Sequence, residues 1–167
     1  MSGLAAARSP GKSWDKDAAL SIVQEKKTLD GALMPILHAL NDAFGYVDAS
    51  IVPVIAEELN LSRAEVHGVL TFYHDFRKNP AGRHVVKICR AEACQSMAGR
   101  ELEEHIKRHL KIGLGETTSD KKITFEAVYC LGLCACAPSM MIDGKLHGRV
   151  TPEKFDSIMA KTAAGAR

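Results

Sequence analysis

The residues in this chain best suited to inorganic chemistry are its cysteines. Four of them form two separated pairs, Cys89-Arg-Ala-Glu-Ala-Cys94 and Cys130-Leu-Gly-Leu-Cys134. Each pair follows a run rich in β-branched residues, His84-Val-Val-Lys-Ile88 before the first and Ile123-Thr-Phe-Glu-Ala-Val-Tyr129 before the second. Strands fixed by their ladders can turn the loops at their ends, and the sulfurs on them, toward one point. Four thiolates gathered in this way ligate Zn²⁺ or an iron–sulfur cluster. Structural zinc usually takes C-x2-C knuckles. The wider x4 and x3 loops suit a larger inorganic core, each pair reaching a separate iron, and zinc stays open on spacing alone. A thiol–disulfide enzyme normally places C-x-x-C at a helix start, and this sequence has no such motif. Cys136 exceeds what a site needs; it is either a small buried hydrophobe or a substitute for Cys134.

The elements that must position these loops are legible as patterns. Residues 1–13, with Ser9-Pro10-Gly11, read as a flexible tail. Residues 14–80 read as a helical bundle. Helical periodicity starts near Asp15, and Leu33, Ile36, Leu37, Leu40 and Phe44 share one face of a helix that Gly45 ends. A third helix is expected from Ser50 to Leu59 with Ser50 as its cap. Ser62-Arg-Ala-Glu65 then has the capping-box pattern, opening a helix with Val66, Val69, Leu70, Tyr73 and Phe76 on one stripe. Asn79-Pro80-Ala-Gly82 marks the boundary. Residues 81–167 then alternate. Strand 84–88 leads to the first cysteine loop and a helix from about Ser96 to Lys111, closed by Gly113. A polar loop precedes strand 123–129 and the second cysteine loop. A hairpin about Gly144 follows, and a last helix starts at Thr151-Pro152-Glu153. The fold class is α/β behind an all-helical segment.

With 167 residues the chain can bury a core, as one domain or two small ones. Its formal charge of +2 argues against wholesale nucleic-acid binding. No apolar run approaches the ~20 residues that cross a bilayer. The start, Met1-Ser-Gly-Leu-Ala-Ala-Ala-Arg8, has too short an apolar stretch for a secretory signal and reads as a frayed N-terminus. Five cysteines without such a signal point to a reducing cytoplasm.

At its cysteines the chain resembles a known family. Cys89-x4-Cys94 with Cys130-Leu-Gly-x-Cys134 and Ala137-Pro138 is similar to the thioredoxin-like [2Fe–2S] ferredoxin subunit of NADH-dehydrogenase-type complexes. The similarity extends through Leu33-Met-Pro-Ile-Leu-His38, Phe72-Tyr73, Leu114-Gly-Glu-Thr117 and Gly148-Arg-Val-Thr-Pro-Glu153. Within the family, the two cysteine loops look most like the gamma subunit of soluble NAD-dependent formate dehydrogenase. The resemblance implies a thioredoxin-like domain holding one [2Fe–2S] cluster on Cys89, Cys94, Cys130 and Cys134. It also implies a docking partner, a flavoprotein subunit that binds FMN and NAD. A larger iron–sulfur subunit carrying a molybdenum or tungsten cofactor would lie beyond it. The alternatives are the same subunit in respiratory NADH dehydrogenase or an NAD-linked hydrogenase.

The remaining motifs are weaker. Gly113 and Gly115 neither follow a strand nor open a helix, so a phosphate loop is not expected. No acid–base or nucleophile set stands out, which makes this an electron carrier without a substrate-converting site. His105 and His109 are spaced to share a metal, but they alternate with Glu104, Lys107 and Arg108 and read as a wet helix face. Ile55 to Val66 has the look of a DNA-binding helix-turn-helix. Its exposed face offers Arg63, His67, Thr71 and Asp75, too few base-reading groups for a recognition helix. A zinc-stabilised interaction or DNA-binding module is therefore the rival class, separated by metal analysis. Arg90 and Arg100 either favour the reduced cluster or are solvated surface charges.

Overall fold

The computed structural model describes residues 13–164. The tail expected over residues 1–13 lies, but for Ser13, outside them. The chain divides into two units, Met1–Ala81 and Gly82–Arg167.

In the first unit, α1 (Lys16–Lys26) begins where the Asp15 carboxylate accepts from the amides of Asp17 and Ala18, at 3.0 and 3.2 Å. Helix α2 (Leu33–Phe44) buries Ile36, Leu37, Leu40 and Phe44 and ends at Gly45, whose φ of +78° the missing Cβ permits. Ser50 is not the cap of the next helix. Asp48 instead caps a preceding 3₁₀ turn, its carboxylate accepting from the Ser50 amide at 2.8 Å, and the α-helix after it opens from Ile51 with no side-chain cap. The chain therefore enters a 3₁₀ turn (Ala49–Ile51) ahead of α3 (Val52–Glu58). The capping box is formed at α4 (Arg63–Phe72): the Ser62 hydroxyl accepts from the Glu65 amide at 3.2 Å, and the Glu65 carboxylate accepts from the Ser62 amide at 2.8 Å. The expected stripe breaks at Phe72. Thr71 donates its hydroxyl back to the His67 and Gly68 carbonyls, and Tyr73 turns extended. Tyr73 is consequently exposed, and Phe76 reaches the core from a loop.

The second unit is built on a five-stranded sheet of order β2-β3-β1-β4-β5. Strand β1 (His84–Cys89) lies at its centre, parallel to β3 (Ile123–Val128) and antiparallel to β4 (Met140–Ile142). The parallel register pairs Cys89 with Val128, so both cysteine loops leave the same end of two neighbouring strands. Strand β2 (Glu116–Thr117) falls in what the sequence shows as a polar loop; two residues are too few to display a period of two. Strand β5 (Lys145–His147) closes the hairpin through Asp143 and Gly144, both at positive φ as a tight primed turn requires.

The helix expected from Ser96 starts later. A one-turn α5 (Glu92–Cys94) and a kinked turn (Gln95–Gly99) come first, and α6 spans Arg100–Leu110. Inside that turn Met97 and Ala98 leave helical geometry, Ala98 at φ +63°. Lys111 in the left-handed region ends α6, not Gly113, whose amide instead donates to the Glu116 carboxylate. Helix α7 (Pro152–Ala164) is capped by Thr151, whose hydroxyl accepts from the Lys154 amide. Val86, Ile88, Leu102, Ile106, Phe125, Met140 and Phe155 form the centre of this unit's core. No helix among the described residues is long and apolar enough to cross a membrane.

Candidate metal centre

The first cysteine loop is held from both sides of β1. The Cys89 amide donates to the Ser139 carbonyl at 3.0 Å, and the Arg90 amide donates to the Val128 carbonyl at 2.8 Å. The Ala91 carbonyl then accepts from the amides of Cys94 and Gln95, both at 3.0 Å, which winds α5. The Gln95 side chain donates back to the Arg90 carbonyl at 2.6 Å and locks the turn. Cys89 and Cys94 are both buried. The second loop is different. Cys130 has a φ of +138°, Gly132 one of +75°, and Cys134–Cys136 is a 3₁₀ turn that buries nothing.

The two loops meet through sulfur. Cys89 Sγ is within reach of the Leu131 amide of the second loop, and of the Ala91 amide, Cys94 and Ser139 of its own surroundings. Burial alone pushes the Cys89 thiol up, but these hydrogen bonds outweigh it and set the thiol below its ordinary value. Burial raises Cys94, against the hydrogen bond from Ser139, whose hydroxyl lies 3.4 Å from its sulfur. In the second loop the Cys130 and Cys134 sulfurs are 3.7 Å apart, and the Gly132 amide donates to Cys130 Sγ at 3.3 Å. Cys134 is raised first by its hydrogen bond with Cys130 and by that group's charge, then by burial, then by the charges of Cys94 and Cys89. The structure thus brings Cys89, Cys94, Cys130 and Cys134 into one electrostatic group.

Cys136 packs elsewhere. A Cβ added to Gly148 would come within 2.7 Å of the Cys136 Cβ, and the Cys136 carbonyl accepts from the Arg149 amide at 2.6 Å. Its side chain is seated against the segment that leads into α7.

This donor set suits a binuclear cluster better than one tetrahedral ion. Thiolates sharing one tetrahedral metal at ~2.3 Å lie about 3.8 Å apart, a spacing that Cys130 and Cys134 already have. A single zinc needs that spacing among all four. Among the described residues, the trio of metal-ligating atoms mutually within 4.8 Å is His105, His109 and Asp156, not three cysteines. Thiolates with N–H donors aimed at them are also what an anionic iron–sulfur centre requires.

A family model, thioredoxin-like [2Fe–2S] ferredoxin, matches residues 19–163. The chain belongs to that family. Its cofactor is accordingly one [2Fe–2S] cluster, and the rival zinc or DNA-binding class is set aside. The chain is 31% identical over 132 residues to the HndA subunit of the NADP-reducing hydrogenase of Solidesulfovibrio fructosivorans, covering 79% of this chain and 77% of that one. It is 38% identical over 109 residues to a subunit of the NADH-quinone oxidoreductase of Pseudomonas aeruginosa, covering 65% and 66%. The corresponding protein of Mycobacterium tuberculosis is 34% identical, but only 54% of its length is spanned. In fold the chain is similar to the air-oxidized NAD⁺-reducing [NiFe]-hydrogenase, with a TM-score of 0.67 at 22% identity over 86% of this chain and 24% of that one.

The family's cysteine loops were plain in the sequence, and other contributors were not. Ser139, buried with both its carbonyl and its hydroxyl directed at the first loop, carries no signal beyond following Ala137-Pro138. Gly99 lets two stretches of backbone meet. Its neighbour is the Cys94 backbone: a Cβ there would fall on the Cys94 carbonyl oxygen and 2.8 Å from its carbon. Arg90 is matched by the buried Glu103, Nε to Oε2 at 2.9 Å, while Lys107 holds the other Glu103 oxygen at 2.8 Å. Arg100 donates to the Gln95 amide oxygen from Nε and from one terminal nitrogen. Both arginines are therefore engaged in the wall of the first loop. Arg63, His67, Thr71 and Asp75 are exposed, as a solvated helix face requires.

Proposed function

We propose that Cys89, Cys94, Cys130 and Cys134 hold the [2Fe–2S] cluster. On this reading the chain is a one-electron relay, residues 14–80 serving as a helical module and residues 81–167 as the cluster domain. The observation that carries the assignment is the parallel register of β1 and β3, which pairs Cys89 with Val128 and so brings both cysteine loops out at one end of the sheet. When bound, the cluster supplies a reversible one-electron couple. The chain's own residues hold and tune it. Buried Cys89 and Cys94 anchor the inner side, and the Ala91, Leu131 and Gly132 amides with the Ser139 hydroxyl offset thiolate charge. Cys130 and Cys134 are exposed beside exposed Tyr129, so electrons enter and leave on that side. The test is iron and acid-labile sulfide analysis with single Cys→Ser variants. Stoichiometric zinc without sulfide, or a full cluster in the Cys130→Ser chain with Cys136 alkylated, defeats it.

The partner is a flavoprotein subunit that binds FMN and NAD, and the site of action is the cytoplasm. The names of the relatives, subunits of an NADP-reducing hydrogenase and of NADH-quinone oxidoreductases, support an NAD(P)-linked complex. Within that class we favour NAD-dependent formate dehydrogenase, with a molybdenum or tungsten cofactor in a larger subunit. The support is the sequence of the two loops, Cys89-Arg-Ala-Glu-Ala-Cys94-Gln and Cys130-Leu-Gly-Leu-Cys134-Ala-Cys136. The hydrogenase and respiratory readings are favoured by the relatives themselves. The complex purified with its natural partners decides among them. Formate-dependent NAD reduction is expected; H₂ oxidation or quinone reduction with inertness toward formate moves the subunit to one of the other complexes.

A further inference from the structure

Outside the cysteine loops, α6 and α7 assemble a second group of ligand-bearing side chains. His105 and His109 stand one helical turn apart on α6 and face Asp156 of α7. His105 Nε2 lies 2.8 Å from Asp156 Oδ1, and His109 Nδ1 lies 3.2 Å from the same oxygen. One ligand atom from each residue falls within 4.8 Å of the other two. The rings are held in place: Phe155 lies nearly perpendicular to both, with centroids 6.0 Å from His105 and 5.4 Å from His109. All three side chains keep partial access to solvent.

We propose that His105, His109 and Asp156 form a binding site for a divalent transition cation of the Zn²⁺ or Ni²⁺ type. Two imidazole nitrogens and one carboxylate oxygen are the donors such borderline ions take, and a hard ion such as Mg²⁺ prefers oxygen and water alone. A metal at ~2.1 Å from each donor sets them roughly 3.4 Å apart, so the nitrogen–oxygen pairs now at 2.8 and 3.2 Å must open slightly, a change that rotation about the side-chain torsions supplies. The Asp156 oxygen that bridges the two rings marks where the ion enters. Three protein ligands leave at least one position open, for water or for a side chain from another protein. The occupied site clamps α7 to α6 and so stabilises the cluster domain. It uses no cysteine and does not rest on what the cysteine loops hold.

The test is calorimetric titration of Ni²⁺ into the untagged, cluster-loaded full chain, with the thermal midpoint and the cluster's visible absorption recorded alongside. One Ni²⁺ should bind, the thermal midpoint should rise, the absorption should stay constant, and Mg²⁺ should leave the midpoint unmoved. His109→Gln and Asp156→Asn should each weaken binding by roughly tenfold or more. His105→Gln/His109→Gln should abolish it along with the metal-dependent rise. That double variant retains every cysteine, so Ni²⁺ uptake that survives in it belongs to sulfur and overturns the assignment. So does a parent chain that takes up no Ni²⁺, or a single variant that binds as tightly as the parent.

Discussion

The two cysteine loops leave neighbouring strands at the same end of the sheet, yet they are built in opposite ways. The first is a wound segment. Its sulfurs are buried, its turn is closed by Gln95, and its helical continuation is interrupted by a kink at Met97 and Ala98. The second is an exposed turn, with positive φ at Cys130 and Gly132 and its two sulfurs 3.7 Å apart. A buried loop draws its shape from the core beneath it, and an exposed one needs the ligand it surrounds to fix it. The first loop should therefore be formed before the cluster arrives and the second completed by it.

The sharpest way to break that contrast is at the two glycines. Gly99→Ala places a methyl group on the Cys94 carbonyl, backbone against backbone, and should cost about 3 kcal/mol or more in urea unfolding of the cluster-free chain. An alanine there that folds with unchanged stability removes the claim of a preformed first loop. Next come the sulfurs. Cys94→Ala opens a space in the core and should destabilise the cluster-free chain by about 1–2 kcal/mol, whereas exposed Cys134→Ala should leave it unchanged. Both should lose the cluster. Equal effects on the cluster-free chain would show the loops to be alike.

Gly132→Ala meets no atom within 4 Å and pays only for its φ of +75°. The loss should be about 1 kcal/mol, read in the thermal midpoint of the loaded protein. Ser139→Ala removes a hydroxyl from the Cys94 sulfur. At roughly 1 kcal/mol for the hydrogen bond, the potential should fall by about 40 mV in a redox titration, with Ser139→Thr restoring part of it. An unmoved potential assigns Ser139 a purely structural part.

The smallest effect sits at the start of β3, which carries the second loop at its other end. Asp120 accepts from the Thr118 hydroxyl and the Lys122 amide and faces the Lys122 ammonium, which together lower its carboxyl to about 2. A depressed carboxylate stabilises the fold fully above its unfolded value near 3.9 and loses that contribution as pH falls through about 2. A carbon-detected NMR titration should place its midpoint near 2, and Thr118→Ala should move it upward. A midpoint at the ordinary aspartate value removes the turn as an anchor.

Much of the site was legible because cysteine, strand and capping signals are local. The four sulfurs, the β1 and β3 runs, the Ser62 capping box and the Asp143-Gly144 turn depend on neighbours a few residues away. The misses share the opposite property. Nothing near Ser96 announces the kink at Met97 and Ala98, which brings the Cys94 carbonyl against Gly99. Asp48 caps a 3₁₀ turn that precedes the helix expected from Ser50. His105 and His109 read as a wet face until α7 set Asp156 and Phe155 against them.

By itself the amino-acid order determined which atoms could bind metal, at which strand ends they would stand, and the family they mark. Tertiary structure alone decided that Ser139 serves the Cys94 sulfur, which it does not neighbour in sequence, that Cys136 turns to Gly148, and that an aspartate from α7 completes a histidine pair on α6. The physical reason is range. Ligand type and strand propensity are properties of short segments, but a hydrogen bond to sulfur or a shared carboxylate exists only once parallel pairing and helix packing have brought distant residues within 3 to 4 Å.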